Sequence, residues 1–187
     1  MKSRFVLTAI FALFAMALAV SAQEKTTNFA GNWELDAGKS KLPEQMRIES
    51  MTLNVSQTDK ELKVESKTKR AAPPEGSGGG MGRGGGRGGF GGGDGTVSYS
   101  LDGKETKIQR ESPMGQIPVT LKAKFEKDGK LKLTSTAKMN TQMGEVTVTT
   151  KENWELLDEG KTLKITRDME TPRGTTSAVL VFTKKSN

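Results

Sequence analysis

Residues 117–125 read IPVTLKAKF, and residues 126–131 continue EKDGKL. Ile117, Val119, Leu121, Ala123 and Phe125 occupy every second position, and Pro118, Thr120, Lys122 and Lys124 occupy the places between. Successive side chains of an extended chain point to opposite faces, so this pattern predicts a strand with one apolar and one polar side. Asp128-Gly129 then supplies the residues of a tight turn, and Leu131 and Leu133 resume the alternation. Two strands joined by so short a turn pair antiparallel.

The same pattern extends in both directions. Upstream, Met51, Leu53 and Val55 alternate with Thr52, Asn54 and Ser56, then Leu62 and Val64 with Lys63 and Glu65, then Val97, Tyr99 and Leu101 with serines. Downstream, Val146 and Val148 lead to Trp154 and Leu156, and Leu163 and Ile165 follow. Asp102-Gly103 and Glu159-Gly160 are two more hairpin signals, and Thr58-Asp59-Lys60 is a weaker one. Residues 178–182 are apolar on both faces, as a strand covered on both sides or closing a barrel seam would be. No stretch has a helical period. Residues 38–46 have room for one turn, which Pro43 limits. The reading is all-β: an antiparallel up-and-down meander of about 8–10 strands, curled so that its edges close into a barrel.

Composition narrows the chemistry. The chain has no cysteine and no histidine. Disulfides, Ser-His-Asp and Cys-His catalysis, and zinc sites built on His or Cys are therefore excluded. Any catalysis would need carboxylates, Lys or Tyr, and no pair of acidic residues stands out on an inward face. The nearest is Glu152, which shares a face with Trp154 and is read as solvated near a strand start. The expectation is a protein without catalysis, cofactor or metal.

Residues 1–22, MKSRFVLTAIFALFAMALAVSA, show a positive start, an apolar run and small residues before Gln23. That is the pattern of a secretory signal peptide cut near Ala22, and it places the mature chain in the periplasm or outside the cell with no stable membrane anchor. The net charge is +7, and removal of Lys2 and Arg4 leaves +5 on the chain from Gln23. Residues 23–187 form a single domain, interrupted by a Gly/Arg-rich tract at 71–95 whose centre, residues 78–93, reads GGGMGRGGGRGGFGGG. In a nuclear or cytosolic protein this tract would suggest RNA. After export, with only Arg83, Arg87 and Phe90 to stack or pair, it reads as a disordered loop rather than a nucleic-acid site, with an anionic envelope surface as a weak alternative.

Asn28-Phe29-Ala30-Gly31-Asn32-Trp33-Glu34-Leu35-Asp36 heads the chain of strands. Its Gly-x-Trp resembles the start of the lipocalins and the wider calycin group. The whole stretch resembles the F-x-G-x-W-x-L-D start of short exported bacterial proteins with lipocalin-like domains. Asp128-Gly129-Lys130-Leu131 and Glu159-Gly160-Lys161-Thr162-Leu163 come close to the D-G-K-x-L turns of those proteins. The resemblance implies a barrel with Trp33 closing one end under a basic side chain from the last strands, for which Arg167 and Arg173 are candidates.

A barrel of about eight strands is filled by side chains or holds one small ligand. The residues expected to line such a space are Trp33, Met51, Leu53, Tyr99, Leu121, Phe125, Leu133 and Trp154. Large aromatics also serve simply as core. The ligand expected is small and apolar or amphipathic, the alternative is an envelope module with a filled barrel and a protein partner, and the chain is expected to be a monomer. Ala37-Gly38-Lys39-Ser40-Lys41 lacks the glycine spacing of a phosphate loop, and Asp102 and Asp128 read as turn formers, not calcium ligands.

Overall fold

The computed structural model describes residues 26–72, 94–112, 115–141 and 144–186. The signal peptide expected at residues 1–22 and most of the glycine tract lie outside them. Ten strands follow in order: β1 (Gly31–Leu35), β2 (Ile48–Gln57), β3 (Glu61–Arg70), β4 (Gly95–Ser100), β5 (Thr106–Ser112), β6 (Gly115–Phe125), β7 (Leu131–Thr141), β8 (Gly144–Leu157), β9 (Thr162–Thr171) and β10 (Gly174–Lys184). Two 3-10 turns are present among the described residues, Asp158–Gly160 and Glu44–Met46, and the latter begins directly after Pro43. Proline cannot donate into a helix, so it serves there as an entry point.

All pairings are antiparallel, and the strands form one sheet in the order β4-β3-β2-β1-β10-β9-β8-β7-β6-β5. The first strand pairs the last, with Trp33 opposite Lys184 and Leu35 opposite Phe182. The doubly apolar stretch 178–182, read as a strand covered on both sides or one closing a seam, lies on β10 beside β1 and β9. β1 is short, and the chain beyond it runs on along β10: Asp36 N–H donates to Val181 O, and Lys41 and Val179 exchange backbone bonds. That segment is the Ala37–Lys41 stretch, and it serves as packing.

The sheet is nearly closed, and it fails to close at an unexpected place. Asp102-Gly103 reads as a hairpin turn in the sequence, yet β4 and β5 on either side of it do not pair. The turn itself forms as expected: Ser100 Oγ donates to Asp102 Oδ1 at 2.6 Å and Lys104 N–H at 2.9 Å, which holds that carboxyl below the usual carboxylate range. The strands then diverge, and β4 comes close to β6 instead. Turn chemistry is local, whereas pairing depends on the curvature of the whole sheet.

β5 itself, TKIQRES, carries too little apolar alternation to stand out in the sequence. Three further hairpins share another signal. Ser112 pairs Gly115, Thr141 pairs Gly144 and Thr171 pairs Gly174, each a hydroxyl residue, two residues and a glycine. The glycines that follow each turn have positive φ, a backbone region that glycine enters at little cost.

Candidate functional site

The inward face divides into three levels. At one end it is plugged. Phe29 is fully buried and packs edge-on to Trp154, centroids 5.9 Å apart, and against Phe125 at 6.4 Å. Trp33 is 1% exposed, and its Nε1–H donates to Phe29 O at 3.0 Å. Gln57 pins the entering chain on both sides of this residue: its Oε1 accepts from Phe29 N–H and its Nε2 donates to Thr27 O, both at 2.9 Å. Thr27 lies over Gly129, where a Cβ would meet its Oγ1 at 2.6 Å.

Lys184 lies over the Trp33 ring, Nζ 5.2 Å from the centroid. A cation at that distance is held by the ring's negative face. This corrects the expectation that Arg167 or Arg173 fills the place: Arg167 points elsewhere, and exposed Arg173 sits in the β9–β10 turn. The cross-strand neighbours of Trp33 are Leu53 on β2 and Lys184 on β10, and of the two only Lys184 carries a charge. The same stem explains the glycine of Gly-x-Trp. Gly31 has φ +146°, and a Cβ there would come within 2.6 Å of Lys184 Cε. A side chain at residue 31 would both strain the backbone and displace the lysine.

The middle level is polar. Arg167 Nε donates to Glu152 Oε1 at 2.7 Å, and Trp154 Nε1–H donates to Glu152 Oε2 at 2.8 Å. Arg167 is 6% exposed although it is an arginine. Glu152 therefore stands mid-strand on the inward face, opposite Leu133 on β7 and Arg167 on β9, and is not the solvated residue the sequence suggested. Tyr99 enters from β4 and is 9% exposed. Burial, with the Glu152 charge second, pushes its phenol well above the ordinary value, against the pull of Arg110 and Arg167. Four strands thus bring Tyr99, Arg110, Glu152 and Arg167 together.

Tyr99 is the chain's single tyrosine, so tyrosinate absorbance reads it alone. The unfolded chain ionises near 10, the ordinary value, while the folded chain keeps the proton. Below that pH the group leaves stability unchanged, and above it stability falls because only the unfolded state gains by ionising. Folded protein is expected to show no tyrosinate step at about pH 10–11, and guanidinium-unfolded protein a normal one. A normal midpoint in the folded state would place the hydroxyl in solvent.

Towards the other end, inward positions mix small, polar and apolar side chains, with Val146 opposite Met139 and buried Val148 opposite Ala137. Ala137 and Ala178 are buried, and Ser135, Met139, Thr150, Met169 and Thr176 are only half-buried although they point inward. The strands that flank the glycine tract, β3 and β4, reach this same end through Arg70 and Gly95.

Of the residues expected to line a ligand space, Trp33, Met51, Leu53, Tyr99, Leu121, Leu133 and Trp154 are buried in one core, and Phe125 packs against it. Trp33, Phe125 and Trp154 belong to the plug: Phe125 and Trp154 pack against the Phe29 ring, and Trp33 bonds Phe29 O beneath Lys184. Tyr99 and Leu133 lie at the polar level. Phe29, Gln57, Arg110, Arg167 and Lys184 have no place in the sequence-based set. A separate groove of about 450 Å³ lies on the outer surface among Ser50, Thr52, Lys67, Lys69 and Asp94, away from all of these.

Among the described residues, no three Asp or Glu side chains come together as a metal site would need, and no helix is long and apolar enough to cross a membrane, which says nothing of strands. No protein-family model matches the chain, and no characterised protein matches it significantly.

Proposed function

We propose that this chain is an exported, lipocalin-like binding protein that holds one small apolar or amphipathic molecule inside the barrel, without catalysis. The observation that carries the reading is the half-buried state of Ser135, Met139, Thr150, Met169 and Thr176 on the inward face, above an end that aromatic rings fill. Inward side chains that still meet solvent line a space that opens outward. An apolar portion would lie along Ala137, Ala178, Met139 and Met169, and a polar end would meet Tyr99 and the Glu152–Arg167 pair. Both Glu152 oxygens already accept hydrogen bonds, which argues against a general acid or base. The lipocalin likeness draws support from Gly31-x-Trp33 under Lys184, and export from residues 1–22.

Native mass spectra of the chain from Gln23, taken directly from the host's periplasm, test this together with Nile red titration. A released extra mass, or saturable uptake of the dye, is expected. Thr150→Trp, at a half-buried inward position, would fill the space and weaken dye binding at least about tenfold, about 1.4 kcal/mol, while the circular dichroism spectrum is kept. A bare mass with no dye uptake would sink the reading and leave the envelope module with a filled barrel.

A further inference from the structure

The open seam leaves two sheet edges. β4 carries no charged residue and comes close to β6. β5 has β6 on one side and, among the described residues, no strand on the other. Such an edge presents a row of amide N–H and carbonyl groups that a further strand can pair.

The outward row of β5 is Lys107, Gln109 and Glu111, all exposed. Three of the four lysines on β6 and β7 have acidic partners: Lys122 with Glu105, Lys132 with Glu126, Lys138 with Glu145. Among the described residues Lys107 and Glu111 join no ion pair; across β6 they face Thr120 and Gln116. A lone lysine on an edge ordinarily discourages strand addition. Here the lysine and the glutamate stand at equal distances from Gln109, which makes the strand complementary to itself.

We propose that β5 pairs antiparallel with β5 of a second copy of this chain, about a two-fold axis through Gln109. Lys107 of each copy then faces Glu111 of the other, so the ion pair forms twice, and Gln109 faces Gln109. The contact is isologous and therefore closes as a dimer. The register is selected by charge. A slip of two residues sets Glu111 against Glu105 in one direction and Arg110 against Arg110 in the other, and like charges directly opposite destabilise a sheet. This assignment replaces the monomer expected from the sequence. The seam is short, so the dimer is weak and reversible.

Sedimentation velocity of the chain from Gln23, from micromolar to millimolar concentration, should show a monomer–dimer equilibrium that weakens as salt is raised. Glu111→Lys and Lys107→Glu each turn both ion pairs into like-charge pairs and should weaken dimerisation at least about tenfold. The combined variant K107E/E111K rebuilds the pairs in reverse and should restore it. Amide exchange in β5 should slow as concentration rises. Circular dichroism verifies that each variant is folded. A monomer at every concentration overturns the proposal, as does a dimer indifferent to both reversals or a double variant that stays as weak as the singles.

Discussion

Replacement of Trp33 by alanine is expected to cost about 3–5 kcal/mol of folding stability, the range for removing a large aromatic from a packed core. Three separate losses combine. The indole is 1% exposed, so its removal leaves a cavity among Phe29, Leu53 and the end of β10. Its Nε1–H no longer reaches Phe29 O, and the backbone that enters the barrel loses an anchor. Lys184 loses the ring face it lies on. Trp33→Phe restores most of the volume and the ring face but not the hydrogen bond, and should fall between the two. Denaturant unfolding followed by circular dichroism gives the numbers. A loss below about 1 kcal/mol for Trp33→Ala, no more than a surface change, would mean that Trp33 does not hold the closed end.

Replacement of Arg167 by leucine is the second large effect. Removing one partner of a buried ion pair leaves the other charge without compensation and costs about 3–5 kcal/mol. Glu152 would keep only the Trp154 donor, deep on the inward face. Adding Glu152→Gln to the same chain removes the stranded charge, and the glutamine carbonyl can still accept from Trp154. The double variant should regain at least half of the loss, because replacing both members of a buried pair is often close to neutral. If the double variant is no more stable than Arg167→Leu alone, the loss comes from packing of the arginine stem and not from the charge.

Several features of this barrel were legible because they are local. The alternation at 117–125 and in the runs around it reports the pleat of each strand, and every inward assignment it makes for β2, β6 and β7 agrees with the burial of Met51, Leu53, Val55, Leu121, Leu133 and their neighbours. The Glu152–Arg167 pair was also within reach. These residues stand five places from Leu157 and Thr162, the pair that brackets the turn at 158–161, and on the same phase as Trp154 and Ile165, so the hairpin register alone sets them opposite each other. Read one strand at a time, Glu152 is only a charge near an apolar run. Likewise the three turns of hydroxyl residue, two residues and glycine are visible as a repeat once one of them is known.

By itself, then, the sequence determined the all-β class and the faces of the strands, because a period of two and turn residues act over a few positions. Only the tertiary structure decided where the barrel stays open, which cation covers Trp33 and what plugs the end beneath it. Gly31 and Trp33 are separated from Lys184 by nearly the whole chain, and they meet only because β1 pairs β10. Phe29 precedes the first strand, and nothing in its neighbours marks it as core until Gln57 draws it under Trp154. The opening between β4 and β5 follows from the twist and curvature that ten paired strands accumulate together, and no single turn encodes that sum.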